Sequence, residues 1–139
     1  MSIPDYHAAI ELQIPFHDLD PLSVVWHGNY AQYFEQARCE LLEQFNYGYE
    51  QMRASGYLWP IIDLQIRYIK PLVFKQRIQV TAVLKEWEYR LKIDYVIRDA
   101  LTQQRLTKGS TVQVAVDMAT QELCIMSPTV LFERLGVTP

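Results

Sequence analysis

Apolar and polar positions alternate in five segments of the chain, a pattern typical of half-buried β-strands. In the first segment, residues 6–16, Ile10, Leu12 and Ile14 alternate with polar side chains. This period of two places every second side chain on the same face of a strand. The same alternation recurs over 62–68, 78–84, 91–97 and 112–116. The short connections at 86–90 and 99–104 predict antiparallel hairpins.

From Asn29 onward the apolar period changes to that of an amphipathic helix. Asn29 and Gln32 have the spacing of a capping box at its start, and Gly48 suits its end. A short helical piece is expected at 49–54. The apolar face of the long helix comprises Tyr30, Tyr33, Phe34, Ala37, Leu41, Leu42 and Phe45.

The order of these elements is a strand, a long helix and then four strands, which we expect to form a meander. One helix packed on one face of a twisted antiparallel sheet is an α+β arrangement. With 139 residues, half of them apolar, we expect a single domain over 1–139. Trp59, Trp87 and many tyrosines lie along the strands, so we expect the sheet to meet a second copy of the chain.

Composition narrows the class of function. A net charge of -3 argues against a protein that chiefly binds the phosphate backbone of nucleic acid. No apolar run approaches the roughly 20 residues that cross a bilayer, and residues 1–6 lack the features of a signal peptide, so we expect no membrane span and a cytoplasmic protein. Cys39 and Cys124 are too few for a disulfide framework or a zinc site, and we expect buried or half-buried thiols.

The segment between the first strand and the helix carries the candidate chemistry. It contains Asp18 and Asp20, and Asp20 precedes a proline. On spacing alone, such an aspartate is most often a turn or capping residue. However, the run 16–38 contains Asp-x-Asp, a short loop, Asn-x-x-Tyr and Phe-Glu-x-Ala-Arg. This run resembles the signature of the 4-hydroxybenzoyl-CoA thioesterase family, which includes the bacterial acyl-CoA thioesterases found beside the Tol-Pal system.

The resemblance implies a hotdog fold, in which a sheet wraps round the long helix, with homodimers joined edge to edge and often homotetramers. It also implies hydrolysis of an acyl-CoA or acyl-carrier-protein thioester without a cofactor or metal. The second acid of Asp-x-Asp, here Asp20, would be the catalytic carboxylate. The backbone N–H at the position of His27 would face the thioester carbonyl.

The chemistry agrees with that assignment. A thioester is already activated, so Asp20 as nucleophile or general base, together with an oxyanion site, suffices. Free N–H groups at the helix start would stabilise the oxyanion, and Gly28 would let the acyl group approach the backbone. Asp18 is expected to hydrogen-bond the loop instead. Ser23 stands where the family more often has glycine, and it either tolerates that backbone angle or adds a hydrogen bond.

Four further residues are candidates for substrate binding, each with a plainer alternative. Tyr30 and Trp59 are pocket-wall candidates but suit the core equally well. Glu35 could point into the site or simply pair with Arg38 three residues on. Arg90 lies in a turn that is basic in family members that grip the CoA nucleotide. Here two glutamates accompany the turn's two basic residues, which argues against such a grip.

Two other functions remain open from sequence. A hotdog dehydratase of 3-hydroxyacyl thioesters would use the His27 side chain as base and Glu35 as acid across the dimer, although the Asp-x-Asp loop is not typical of such enzymes. A non-catalytic acyl-thioester-binding protein would be expected to have lost Asp20 or Gly28. If the donor is a carrier protein, the candidate docking charges are Arg53, Arg67, Lys70, Lys75 and Arg77.

Overall fold

The structure, a computed structural model, describes residues 5–139. The expectation that the chain starts without a signal peptide rests largely on residues 1–4, which lie outside the described part. Two short 3-10 helices, Phe16–Asp18 and His27–Asn29, flank the loop before the long helix. The other elements, in chain order, are β1 (His7–Gln13), α1 (Tyr30–Gln44), α2 (Tyr49–Ala54), β2 (Tyr57–Leu58), β3 (Ile61–Tyr68), β4 (Arg77–Glu86), β5 (Leu91–Asp99), β6 (Arg105–Gln113), β7 (Val116–Asp117) and α3 (Thr129–Leu135).

Five strands form one antiparallel sheet in the order β1-β4-β5-β6-β3. The two predicted hairpins are present, because β4 pairs with β5 and β5 with β6. The predicted four-strand meander is wrong in one respect: β3 pairs with β6 rather than with β4. Alternation along a strand reports which face is buried but not which strand is the neighbour. As a result, β3 lies at one edge of the sheet.

The last strand of the sheet lies earlier in the chain than predicted. β6 covers Arg105–Gln113. Of the valines expected to mark a strand at 112–116, Val112 lies at the end of β6, Val114 lies between strands, and Val116 begins the two-residue β7, which pairs with β2. The alternation of apolar and polar residues did not reveal β6, because three of its buried positions, Thr107, Thr111 and Gln113, are polar. The terminal helix α3 has no counterpart in the predicted elements.

The core lies between α1 and the sheet. All seven residues of the predicted apolar helix face are buried, and the rings of Phe34 and Tyr95 stack 4.4 Å apart. At this contact β6 carries Gly109, where a Cβ would lie 2.6 Å from Phe34 Cε2 and 2.4 Å from the Gln65 carbonyl oxygen. A side chain at 109 would therefore force the helix and sheet apart. This helix-on-sheet arrangement is the predicted α+β hotdog fold.

Two expectations about surface residues need correction. Trp59 is buried, with 5% of its surface exposed, so it does not mark a face for a second copy. The exposed apolar residues of the sheet lie instead on β3, at Ile61, Ile62 and Leu64. Cys39 is exposed on α1, whereas Cys124 is half-buried as predicted. Within residues 5–139, no helix is long and apolar enough to cross a membrane.

Candidate active site

Asp20 is held in a tight turn between β1 and α1. Its N–H donates to the Val24 carbonyl at 2.8 Å, and the Ser23 N–H donates to the Asp20 carbonyl at 3.0 Å. Ser23 has a φ of 65°, so it occupies the left-handed conformation for which glycine is preferred. The Asp20 carboxylate accepts the Leu22 N–H at 2.8 Å through Oδ1. The half-buried side chain is therefore fixed through one oxygen.

Asp18 anchors the same loop to α1, as expected for a structural acid. Its Oδ2 accepts the Tyr33 hydroxyl at 2.6 Å, and its carbonyl accepts the Trp26 N–H at 3.0 Å. The carbonyl also accepts Asn29 Nδ2 at 2.9 Å. Asn29 makes no side-chain cap, so the predicted capping box with Gln32 is not formed. The Asn29 side chain therefore binds the loop instead of capping the helix.

The helix start presents backbone donors beside this loop. The 3-10 helix His27–Asn29 runs directly into α1, and its Asn29 N–H donates to the Trp26 carbonyl at 2.9 Å. Within residues 5–139, the N–H groups of His27 and Gly28 have no hydrogen-bond acceptor. Both residues are exposed. Two free donors and the positive end of the helix dipole can therefore receive a developing negative charge.

Gly28 lies against the indole of Trp26, a contact that the sequence does not predict. A Cβ at this position would lie 2.3 Å from Trp26 Cζ3 and 2.4 Å from Cη2. The indole of Trp26 thus covers the side of Gly28 where a side chain would project.

A pocket of about 270 Å³ brings Asp20 together with His27 and Tyr30, three of the predicted site residues. Gly28 adjoins His27 but is absent from the pocket wall. Sequence reasoning assigned no role at this site to Tyr68, although its place at the end of a period-two strand was visible. The complete lining is Asp20, Val24, Val25, His27, Tyr30, Tyr68, Ile69, Lys70 and Pro71.

Tyr68 joins the end of β3 to the helix start. Its hydroxyl donates to the His27 carbonyl at 2.8 Å, and its ring meets that of Tyr30 edge-on at 4.7 Å. Burial raises the pKa of both tyrosines above the ordinary value. Both hydroxyls therefore remain protonated at neutral pH.

Glu35 lies elsewhere on α1, in a depression with Ala31, Gln32 and Gln36. Its carboxylate pairs with Arg38 at 2.8 Å, the plainer of the two predicted roles. Arg38 itself is buried and donates to the hydroxyls of Tyr49 and Tyr95. Within one subunit, His27 and Glu35 therefore line different depressions, so the dehydratase pair is not assembled in a single chain.

Trp59 and Arg90 also lie apart from the Asp20 pocket. Trp59 is in the core, where its Nε1 donates to the Tyr47 hydroxyl at 3.2 Å. Arg90 lies in the β4–β5 hairpin and donates to both carboxylate oxygens of Glu86, at 2.6 and 3.2 Å. Its guanidinium is therefore already engaged. Among residues 5–139, no three His, Cys, Asp or Glu side chains are grouped to hold a metal ion.

The sequences of two relatives match part or most of this chain. The Bacillus subtilis (strain 168) protein named "Putative acyl-CoA thioesterase YneP" is 31% identical over 77 residues, 55% of this chain and 53% of that protein. The Arabidopsis thaliana protein named "Acyl-acyl carrier protein thioesterase ATL3, chloroplastic" is 26% identical, covering 84% of this chain and 61% of its own length. The chain thus spans about half to three-fifths of these two relatives.

The fold and the family are shown by two further comparisons. The crystal structure of Slr0204, a 1,4-dihydroxy-2-naphthoyl-CoA thioesterase from Synechocystis, superposes with a TM-score of 0.82 at 19% identity, covering 94% of this chain and 96% of that one. The model of the thioesterase-like superfamily matches residues 14–132, most of the chain and all of the Asp20 pocket. The chain therefore belongs to the thioesterase-like superfamily and has its hotdog fold.

Proposed function

We propose that the protein hydrolyses an acyl thioester of CoA or of acyl carrier protein to a free acid and a thiol. The observation that carries this proposal is the pocket that Asp20 and His27 both line, at a helix start where the N–H groups of His27 and of the adjoining Gly28 have no acceptor within residues 5–139. The names of the two relatives, one an acyl-CoA and one an acyl-carrier-protein thioesterase, support the same substrate class.

Two routes use these groups. As a general base, Asp20 removes a proton from water while the water oxygen bonds to the thioester carbon. The His27 and Gly28 N–H groups receive the resulting oxyanion, which collapses and expels the thiolate, and the proton passes from Asp20 to the sulfur. As a nucleophile, Asp20 forms a mixed anhydride and releases the thiolate, and water then hydrolyses the anhydride. An acyl-Asp20 adduct in acid-quenched mass spectra would identify the second route.

The decisive substitution is Asp20→Asn. It preserves an oxygen for the Leu22 N–H but removes the negative charge that either route needs. We expect kcat to fall at least a hundredfold, as general acid–base catalysis typically contributes about 10²–10⁴-fold. The measurement is thiol release from a panel of acyl thioesters.

Asp117→Asn is the matched control. Asp117 accepts the Ala119 N–H at 2.8 Å in the same kind of turn but lies outside the pocket wall. It should leave kcat unchanged. Full activity of the Asp20 variant would refute the site, and formation of a 2-enoyl product without thiol release would favour the dehydratase.

A finer part of the proposal concerns the thiol group that carries the acyl chain, which belongs to CoA or to acyl carrier protein. Because Arg90 is engaged by Glu86, we expect only a weak grip on the CoA phosphates by this hairpin. Lys70, by contrast, lies in the pocket wall. Each acyl group in the panel should therefore be presented on both CoA and acyl carrier protein. A higher kcat/KM for the carrier-protein form would assign the donor.

We also propose that the active form is a homodimer joined along β3. This strand pairs with β6 on one side only, and its free edge carries Ile61, Ile62 and Leu64, each more than 40% exposed. An exposed apolar edge strand is a template for pairing with another chain. Because Tyr68 ends the same strand, the proposed interface would run up to the Asp20 pocket.

A further inference from the structure

The face of the sheet that points away from α1 carries several basic side chains on β3, β5 and β6. Tyr95 of β5 stacks on α1, so its neighbour Val96 points to the opposite, outer face. Lys108 of β6 is the register partner of Val96, and Arg67 of β3 is the register partner of Lys108. Register partners share a face, and the Arg67 and Lys108 side chains therefore both lie on the outer face.

A β-bulge adds Arg105 to this face. Arg105 and Lys108 are three positions apart in β6, and in a regular strand their side chains would point to opposite faces. The register with β5 shifts between Ile97 and Arg98, where two residues of β6 oppose one of β5 and Leu106 is left unpaired. A bulge of this kind re-aims a side chain. As a result, Arg105 joins Lys108 on the outer face, with Arg98 directly opposite it.

These residues surround a depression of about 540 Å³. Arg67, Arg105 and Lys108 line its wall, and Arg98 lies beside it. The volume is within the range of small-molecule sites, roughly 300–1,000 Å³. The wall also contains Ser110, whose hydroxyl has no hydrogen-bond partner within residues 5–139. The depression therefore combines clustered cations with a free hydroxyl donor.

The positive charge of this cluster is not neutralised by the described part of the chain. None of its four basic side chains forms an ion pair within residues 5–139. Asp94 is the one acidic residue of the wall, and it faces Ser110 rather than a cation. Four basic groups and one acid leave an excess of about three positive charges. The opposed pairs of cations repel each other, and a bound anion would remove that repulsion.

We propose that this depression binds a small molecule that carries at least two phosphate groups, with Arg67, Arg105 and Lys108 on the phosphate oxygens. A phosphate monoester carries roughly −1.5 to −2 charges at neutral pH, so two such groups match the excess positive charge. The guanidinium fork suits phosphate oxygens. A long polyanion is disfavoured because the whole chain has a net charge of -3. This inference does not rest on the proposed hydrolysis.

Two sources could supply this chemistry. One is the nucleotide part of CoA, which bears a 3′-phosphate and a diphosphate, and the other is a free nucleotide or diphosphate. Arg67 directly precedes Tyr68 of the Asp20 pocket, so the depression and that pocket adjoin along β3. The experiments below distinguish a site for the substrate from a site for a separate ligand.

The first test is calorimetric titration of the whole protein with adenosine 3′,5′-diphosphate and, separately, with inorganic pyrophosphate. We expect saturable binding of one molecule per chain for at least one of the two. Lys108→Glu should weaken this binding at least about tenfold, the loss that corresponds to one charge-assisted hydrogen bond. The variant also relieves the repulsion of Arg67, so its melting temperature without ligand should not fall. A loss of binding is then not a loss of folding. Arg105→Gln should weaken binding as well.

Lys92→Glu is the matched control. It makes the same change of charge on the same face of β5, but Lys92 lies outside the wall of the depression and faces Glu86 instead. We expect its affinity for either probe to stay within twofold of wild type.

The second test identifies the source. KM is measured for one acyl group on CoA and on N-acetylcysteamine, a thiol without phosphate. If Lys108→Glu raises KM for the CoA thioester alone, the site holds the nucleotide of the substrate. If KM is unchanged for both thioesters while the titration shows lost binding, the site belongs to a separate ligand. If wild type hydrolyses no thioester, the proposed function fails and the titration still decides the phosphate site.

Three results would overturn the phosphate site. The first is the absence of saturable binding of both probes to wild type. The second is unchanged affinity in both Lys108→Glu and Arg105→Gln. The third is an equal loss of affinity in Lys92→Glu, which would show a general attraction of anions to the sheet rather than a site at the depression.

Discussion

At the scale of single residues, the two aspartates of Asp-x-Asp have different surroundings although they lie two positions apart. Asp18 accepts the Tyr33 hydroxyl and supports the loop through its carbonyl, whereas Asp20 lines the pocket beside His27. Burial and the hydrogen bond from Tyr33 to the Asp18 carboxylate raise the pKa of Tyr33, so this hydroxyl stays protonated as the donor. These surroundings, which a spacing pattern does not contain, support the proposed role of Asp20 rather than Asp18 in the chemistry.

A prediction at this scale concerns Gly28→Ala. The new Cβ would overlap the Trp26 indole, which must move and disturb the adjacent N–H groups. We expect kcat to fall roughly tenfold to a hundredfold, as displacements of about 1 Å in an active site can cost that much. The tryptophan emission maximum should shift to longer wavelength as the indole becomes more exposed.

Gly48→Ala is the comparison variant. There the nearest atom is Glu43 Oε1, at 2.7 Å, the far end of a flexible side chain that can move away. Its kcat should remain that of wild type. An unchanged kcat and emission spectrum in Gly28→Ala would show that the close contact with Trp26 has no effect on the site.

At the scale of elements, the sheet has unfavourable like-charge pairs directly across its strands. Arg67 of β3 is the register partner of Lys108 in β6, and Arg98 of β5 is that of Arg105. Residues directly opposite each other lie on the same face at close range, where like charges destabilise the sheet. Neither Arg67 nor Lys108 has an ion-pair partner within residues 5–139. We infer that these pairs lower the stability of the sheet.

We therefore expect Lys108→Glu to stabilise the protein. The substitution turns a like-charge pair with Arg67 into an opposite-charge pair, which should raise the free energy of unfolding by about 0.5–1 kcal/mol. Urea unfolding measures the change, and added salt should reduce it by screening.

Lys92→Glu is the mirror-image control, because Lys92 faces Glu86 across β4 and β5. This change creates a like-charge pair and should lower the free energy of unfolding. If Lys108→Glu instead lowers the stability, the repulsion across β3 and β6 is not significant.

At the scale of the whole molecule, the sheet ends in two different edges. In β1 the large apolar residues Ile10 and Leu12 are half-buried, whereas β3 exposes Ile61, Ile62 and Leu64. Long apolar edge strands are normally covered in folded proteins. A second copy paired along β3 would cover this edge in both subunits by twofold symmetry.

The corresponding prediction is that Ile62→Lys combined with Leu64→Lys yields a monomer. Charges on an edge strand oppose pairing with another chain. Light scattering after size-exclusion chromatography should give twice the chain mass for wild type and one chain mass for the double variant. Leu101→Lys, at a leucine 87% exposed in the β5–β6 turn, should leave the mass unchanged. A dimeric double variant would place the interface elsewhere.

The sequence by itself determined most of the regular elements and their buried faces, but not the position of β6 or the presence of α3. The seven apolar positions of α1, the two hairpins and the α+β class follow from periods of 3.6 and 2, because burial of one face imposes these periods on the chain. It also singled out the Asp20 loop and the helix start, through a local run of residues that resembles one family. Both kinds of information are local in the chain.

Only the tertiary structure decided which distant residues meet. That β3 pairs with β6, that Trp59 is buried, and that the indole of Trp26 covers Gly28 depend on packing between elements. The hydrogen bond from the Tyr68 hydroxyl to the His27 carbonyl joins residues 41 positions apart, and no periodic pattern in the sequence predicts it. A pattern along one strand or helix specifies the direction of each side chain, but the atom that it contacts is set by how the elements pack together.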